Sequence, residues 1–423
     1  MNITYINHYA GNIKLGMEFR PYYLAREWVR MGHNVSIIAS SFSHVRIAQP
    51  TCDQLFTEEW IDGIRFVWLN NRTYSGNGIG RAINIFQFLF GLYQSRRWLS
   101  EKPDIIICSS TYPLDIYPAK KIGDKSGAKI IWEIHDLWPL TPIEVGSMSK
   151  HNPFIMMLLR GERDSFRYAN AIVSLLPNAD QYLQKYGQVS DKYVYIPNGI
   201  NPEEWDNAVA DEIPSQHLSV ILEKQGKGNL LVGYTGAHGA ANVLGQLLDA
   251  AVLCKDKKVS FILVGDGVEK DKLMQRAKSE KLNNVRFLPP VKKVEIPALL
   301  QLMDALFIGL QRELRFKYGI SPNKLMDYMM SRKPIVYAGS PHTFPIQEAA
   351  CALIVPPENP ESLAGAINEL LDMPNEQRDL LGSNGHKYVL SNHSYSVLAT
   401  TFVELMEKIH NNVSPNEQLP RRF

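Results

Sequence analysis

Two short stretches of this 423-residue chain carry residue types that do chemistry. In IWEIHDLWP (131–139) an apolar run ends on His135 and Asp136 before Trp138 and Pro139 break it. At the carboxyl end of a strand an imidazole can donate to a sugar hydroxyl or help hold developing charge. Asp136 would orient that imidazole or cap the next segment; a histidine simply satisfied at the sheet edge is the alternative. In YGISPNKLMDY (318–328) Ser321 reads as the cap of a helix and Pro322 as a residue of its first turn. Lys324 falls in the same turn, where the positive end of the helix dipole disfavours a cation. A docked anion would remove that conflict. Free amides near Asn323 and Lys324, the dipole, and the cations Arg312, Arg315, Lys317 and Lys324 together suit a diphosphate. Helical spacing puts Lys324 and Asp327 on one face with Leu325 and Met329 turned into the core, so a plain surface ion pair explains the pattern too.

Weaker signals accompany these. HYAGNIKLGMEFRPYYLAREW (8–28) reads as a strand end, a loop loosened by Gly11 and Gly16, and a helix starting near Pro21. Such a loop lets backbone amides approach a phosphate or sugar, or is merely flexible. GNGIG (76–80) and VGDG (264–267) fall short of a dinucleotide fingerprint. INIFQFLFGLYQSRRW (83–98), flanked by Arg81, Arg96 and Arg97, and NPFIMMLLRGERDSFR (152–167) read either as core helices or as faces for a membrane or a lipid-linked ligand. The chain contains no Asp-x-Asp, no G-x-x-x-x-G-K-[ST] and no G-x-S-x-G, so a diphosphate would be neutralised by protein groups without a metal.

The elements that must position these residues alternate along the chain. Short β-rich runs at 2–6, 35–39, 64–69, 104–108, 129–135 and 171–175, then at 229–234, 259–265, 285–288, 305–310, 334–338 and 352–355, are separated by amphipathic stretches. That alternation predicts two doubly wound parallel-sheet domains, with ligands at the strand carboxyl ends facing a central cleft. The turn-rich YIPNGINPEEW (195–205) places the boundary near 197. The expected organisation is therefore 1–196, 197–390, a C-terminal helix over 391–410 packing back on the first domain, and a flexible tail over 411–423. A composition of 45% hydrophobic and 21% charged residues is ordinary for globular domains, and a net charge of +2 gives no case for nucleic-acid binding. The four cysteines have no metal-ligand spacing and read as packing residues of a reducing compartment. The opening MNITYINHYAG lacks the marks of a signal peptide, and no window is apolar enough to span a bilayer, so a cytoplasmic protein is expected.

NHYAGNIKLGMEFRPYYLAREWVRMGHNVSIIA, EIHDLWP, IPNGI, YTGAHGAAN, LVGDGVEKDKL, NVRFLPPV and YGISPNKLMDYMMSRKPIV, in this order over about 390 residues, resemble the GT-B glycosyltransferases of family 4, in particular bacterial O-antigen and capsule enzymes. The resemblance implies two Rossmann-like domains, the first for an acceptor and the second for a nucleoside diphosphate sugar, and sugar transfer with retention and without a metal or other cofactor. Carried over by position, His135 would contact the donor sugar near the reacting centre; Lys324, from its place in the first helical turn, would meet the diphosphate. The glycine loop with Gly11, Gly16, Glu18 and Arg20, together with Asp136, Gly236, Arg315, Ser321, Asn323 and Asp327, would bind substrate, Asp327 as the second acid of the family's E-x7-E element. Gly265, Phe287, Leu288 and Val291 would border the nucleobase. Gly319 stands where the first acid of that element belongs, and Ala237 and Asn242 where many relatives carry a diphosphate-binding arginine and lysine; Arg315, Lys317 or Lys324 would substitute.

SPNKLMDYM with GMEFRP looks most like enzymes that transfer N-acetyl-L-fucosamine or a similar deoxy amino sugar. The expectation is a UDP-linked donor and an undecaprenyl diphosphate-linked saccharide acceptor, with the protein peripheral on the cytoplasmic face of the inner membrane. A sugar-nucleotide 2-epimerase on the same plan and a non-catalytic binding member are the alternatives.

Overall fold

The computed structural model describes residues 1–16, 19–76, 78–144, 146–206, 213–311, 318–319, 321–339 and 344–415. It divides into two units, Met1–Pro197 with the segment from Tyr395 onward, and Asn198–Ser394.

Among the described residues the first unit is built on eight strands: β1 (Asn2–Ile6), β2 (Asn34–Ser40), β3 (Phe56–Ile61), β4 (Ile64–Leu69), β5 (Ile105–Cys108), β6 (Lys129–Ile134), β7 (Ala171–Ser174) and β8 (Tyr193–Tyr195). Their order is β3-β4-β2-β1-β5-β6-β7-β8, parallel throughout except for the β3–β4 hairpin. Six of these were legible as apolar runs. β3 was not, because FTEEWI is an edge strand with exposed Glu58, Glu59 and Trp60, and the three residues of β8 are too short for any periodicity.

The second unit holds β9 (Leu230–Thr235), β10 (Val259–Val264), β11 (Val285–Leu288), β12 (Ala305–Gly309), β13 (Ile335–Ala338) and β14 (Ala352–Val355), in the all-parallel order β11-β10-β9-β12-β13-β14. Its strands are covered on both faces. Leu230, Val232 and Tyr234 enter one core while Leu231 enters the other, and Phe261 and Leu263 are likewise opposed to Ile262 and Val264. The direction of winding reverses beside β1 in the first sheet and beside β9 in the second. Open α/β sheets hold their ligands at such switch points.

The helix expected over 391–410 runs from Tyr395 to His410, because the preceding helix, Asn375–His393, continues through 391 and closes the second unit. There Ile200 donates to the carbonyl of His393, and its segment bridges Ser394. The Tyr395–His410 helix packs on the helix Phe19–Arg30: Tyr395 stacks on Tyr23 with ring centroids 4.8 Å apart, and the Trp28 indole donates to the carbonyl of Ala399. The helix Pro153–Tyr168 is a core helix, burying Ile155, Leu158 and Phe166. Cys108, Cys254 and Cys351 are buried. Among the described residues no helix is long and apolar enough to cross a membrane. Residues 416–423 of the expected tail lie outside the described residues.

Candidate functional site

The carboxyl end of β6 carries a dense polar cluster in the first unit. Residues two apart on a strand share a face, so Glu133 and His135 point the same way. His135 Nε2 lies 2.9 Å from Glu133 Oε2 and 2.8 Å from Ser109 Oγ, at the end of the neighbouring β5. Tyr5 and Ser109 donate to the same carboxylate oxygen at 2.5 and 2.6 Å. Glu133 is fully buried, and Arg20 meets its other oxygen at 3.0 Å. Burial opposes the carboxylate's charge, but the Arg20 guanidinium, and after it His135, hold its carboxyl well below the usual range. His135 keeps 14% of its side-chain surface exposed. The cluster is thus a buried anion that fixes an accessible imidazole, leaving Nδ1 as the nitrogen not turned toward Glu133.

Two residues expected at the substrate take other roles. Arg20 is buried, and besides Glu133 it donates to the carbonyls of Ile196 and Pro197. Its guanidinium is committed to holding Glu133 and the chain end of the unit, which corrects its reading as a substrate ligand. Asp136 takes the second of the roles open to it. Its Oδ1 accepts from the amide of Leu137 at 2.8 Å and the hydroxyl of Thr141 at 3.0 Å, which fixes the start of the helix Leu140–Glu144. Asp136→Ala is therefore expected to cost about 1 kcal/mol of stability, as loss of a cap does, and chemical denaturation would measure it. A loss of transfer as large as that of His135→Ala would instead show Asp136 at the substrate.

In the glycine loop Asn12 organises the turn, its Oδ1 accepting from the amides of Lys14 and Leu15. Gly16 follows at φ +81°, and a Cβ there would lie 3.0 Å from Ile47. Gly11 is buried, and Glu18 lies outside the described residues. A second histidine, His8, is the satisfied core kind: Tyr112 and Asn84 occupy its two nitrogens, and burial pulls it down to about 3.

In the second unit the helix Asn323–Met330 comes after β12 in the chain, with Leu325 and Met329 in the core as their spacing required. Its N-cap is Pro322, without a side-chain bond. Ser321, expected as the cap, instead accepts from the amide of Asn198 at 3.0 Å while its carbonyl accepts from the Asn198 side chain at 2.7 Å. That clamp holds Asn198 against the start of the helix and corrects the reading of Ser321 as its cap. The amides of Asn323 and Lys324 have no partner among the described residues. Arg312, Arg315 and Lys317 lie outside the described residues.

Lys324 does not pair with Asp327. Its partly buried ammonium donates to Tyr234 Oη at 3.0 Å and to Asn242 Oδ1 at 2.6 Å, and lies 4.5 Å from the centre of the Tyr234 ring. No carboxylate among the described residues forms an ion pair with it, and desolvation pulls it down to about 8. A Cβ on Gly236, just past β9, would lie 3.4 Å from this nitrogen, so the ammonium borders an exposed stretch of bare backbone. Asp327 turns instead to Lys293, 3.7 Å away, which also meets Glu204 at 3.6 Å. Burial raises Asp327, against the pull of Lys293.

The loops after β9 and β10 lock together. Gly265 has φ +149°, and a Cβ there would fall 1.9 Å from the carbonyl oxygen of Gly236, so only glycine fits. The amide of Gly265 donates to the carbonyl of Leu288, whose side chain is core. Phe287 is half-buried and edges against His238, and Val291 packs partly on the core. His238 is fully buried, neither ring nitrogen has a partner among the described residues, and burial pulls it down to about 4. The structure thus gathers Gly236, Lys324, Gly265 and Phe287 around the ends of β9 to β11 and places Asp327 in a separate cluster.

Glu133, Ser109, Tyr5, Tyr234 and Lys293 were missed in the sequence. Glu133 alone had a local signal, its two-residue spacing from His135. The others are brought in by strand pairing or packing.

Comparison with known proteins accounts for both units. Residues 16–204 match the family model described as Glycosyltransferase Family 4, and residues 229–373 that described as Glycosyl transferases group 1. The chain is 23% identical over 295 residues to the probable glycosyltransferase WbjE of Pseudomonas aeruginosa, covering 68% of this chain and 71% of the relative. It is 22% identical over 296 residues to the putative colanic acid biosynthesis glycosyl transferase WcaI of Escherichia coli, covering 67% and 70%. The structure of Anabaena HepE in complex with UDP and glucose superposes with a TM-score of 0.66 at 16% identity, over 96% of this chain and 99% of that one. With both sheets, the switch points and two consecutive family matches in agreement, the chain is a glycosyltransferase of the family 4 type, with the GT-B fold.

Proposed function

We propose that this enzyme is a retaining, metal-independent transferase that moves a sugar from a UDP-linked donor to an undecaprenyl diphosphate-linked saccharide in bacterial surface polysaccharide synthesis. The observation that carries the reading is Lys324: a partly buried ammonium with neutral partners, beside bare backbone at a helix start and a sheet switch point. A cation left without a carboxylate costs free energy, and a bound diphosphate would repay it with charge-assisted hydrogen bonds. Asn242, where many relatives carry a cation, accepts from this ammonium, so Lys324 delivers a positive charge to that place from another element. The relative named for colanic acid synthesis and the neighbour solved with UDP support the polysaccharide and donor assignments. SPNKLMDYM with GMEFRP supports N-acetyl-L-fucosamine or a similar deoxy amino sugar as the group transferred.

In the step we propose, the bond from the anomeric carbon to the diphosphate oxygen breaks, and an acceptor hydroxyl oxygen bonds on the same face. Its proton passes to the departing diphosphate. Lys324 and the amides of Asn323 and Lys324 stabilise the leaving charge, and His135, held by Glu133, meets the donor sugar. The peripheral position on the inner membrane follows from the lipid carrier of the acceptor. A thermal-shift series with UDP, GDP and their sugars tests the donor: at 100 times its dissociation constant a ligand adds about 2.7 kcal/mol of stability. UDP is expected to raise the melting temperature, and no shift with either diphosphate would overturn the donor site.

A further inference from the structure

The helix Ile79–Tyr93 buries Ile85, Phe88, Leu89 and Leu92 on one side, as an amphipathic helix should, but its other side is not polar. Ile79, Ile83, Phe86, Phe90 and Tyr93 recur every three or four residues and are 80%, 46%, 46%, 67% and 41% exposed. They form one continuous apolar stripe along four turns, and Arg81 is the only charged residue of the helix. Leu55 extends the stripe sideways over a shallow hollow of about 560 Å³ that it lines with Ile83, Phe86 and Phe90. Monomeric proteins rarely leave such a stripe in water without a use for it.

The rim of the stripe is cationic. Past its C-terminal end Phe90 and Tyr93 share a second hollow with the exposed Arg97, Lys121 and Lys125, and the Lys121 ammonium lies 5.1 Å from the centre of the Tyr93 ring. The neighbouring acid, Asp124, is neutralised by Lys120. At the other end Arg81 lies over the rings of Tyr9 and Trp138, 5.5 and 5.4 Å from their centres. These two residues stand just beyond β1 and β6, on the same edge of the sheet as His135.

We infer that this face docks flat on an anionic phospholipid bilayer, with the apolar stripe in the headgroup boundary and Arg97, Lys121 and Lys125 against lipid phosphates. An apolar helix face rimmed by cations of a single sign suits an anionic surface. A second copy placed on it symmetrically would bring like charges together. The inference rests on the reading of the acceptor as lipid-linked: docked this way, the Arg81 end of the helix would lead a carrier lipid from the membrane to the β1 and β6 strand ends.

The test is co-sedimentation of the full chain with vesicles of phosphatidylcholine alone or with phosphatidylglycerol. The wild type is expected to bind the phosphatidylglycerol vesicles and to lose most of that binding in high salt. The double variant Phe86→Asp/Phe90→Asp changes exposed positions, so its melting temperature should hold while its vesicle binding falls by about tenfold or more. Lys121→Glu/Lys125→Glu should weaken binding to phosphatidylglycerol vesicles only. Absence of wild-type binding, binding unaffected by the aspartates, or a dimer in light scattering that the aspartates dissolve would each overturn the inference, the last by making a second copy the occupant. The UDP-induced thermal shift is read on the same variants. Its absence would overturn the donor assignment while leaving the membrane result to stand by itself.

Discussion

Lys324→Met is expected to lower kcat/KM for sugar transfer by about 10²–10³, the size seen when one fixed donor to a developing anion is removed, and to abolish most of the UDP-induced thermal shift. Methionine keeps the apolar stem against Tyr234 and removes only the charge and its two hydrogen bonds. The stability of the ligand-free protein should move the other way. Lys324 is a desolvated cation with no carboxylate partner among the described residues, so its removal should leave the melting temperature unchanged or raised. A lysine present for the fold would show the opposite pattern, with a lower melting temperature and transfer intact, and that pattern would sink the assignment.

The pH dependence follows from the same residue. Burial holds Lys324 at about 8 in the folded protein, below its ordinary 10.5, so between these values the unfolded chain carries more of its proton. Stability from this group therefore rises with pH over that window, its penalty being present in full below about 8. Anion binding has the opposite slope. A diphosphate favours the ammonium, so above about pH 8 binding takes up a proton and UDP affinity should fall toward tenfold per pH unit. Titration calorimetry in buffers of different ionisation enthalpy would detect that uptake, and Lys324→Met should flatten the profile.

Why Lys324 was legible and Glu133 was not is a matter of range. A cation in the first turn of a helix conflicts with the local dipole, and that conflict is written within a few consecutive residues. The strands were legible for the same reason, since twelve of the fourteen are apolar runs between turn signals; the two that escaped are a polar edge hairpin and a three-residue strand. The partners of a buried side chain are not local. Arg20, Tyr5 and Ser109 reach Glu133 from separations of 113, 128 and 24 residues. The pairing of β1 with β5 and of β5 with β6 brings Tyr5 and Ser109 to Glu133, and Arg20 comes to it from the helix Phe19–Arg30. Ser321 was misjudged because a serine before Pro-Asn is locally a good cap, while the group that claims its hydroxyl is Asn198, 123 residues away.

Glu133→Gln is expected to destabilise the first unit by about 3–5 kcal/mol, the usual cost of leaving one partner of a buried ion pair uncompensated. For a domain of this size that lowers its melting temperature on the order of 10 °C. The amide fits the same volume, so the loss measures charge: Arg20 remains buried among carbonyls with no anion beside it. Adding Arg20→Met should recover part of the loss, because two neutral groups leave no unpaired charge. The acid limb has a defined sign. The folded carboxyl titrates far below its ordinary 4.5, so its contribution is complete above that value and is lost only as pH falls on toward the folded one. Glu133 also acts through His135, whose Nε2 it fixes at 2.9 Å. Below the melting transition Glu133→Gln should reduce kcat more than it raises KM, and in His135→Ala the same change should cost little further activity. Stability within 1 kcal/mol of wild type, or fully additive losses in the double variant, would show that the carboxylate neither anchors Arg20 nor positions the imidazole.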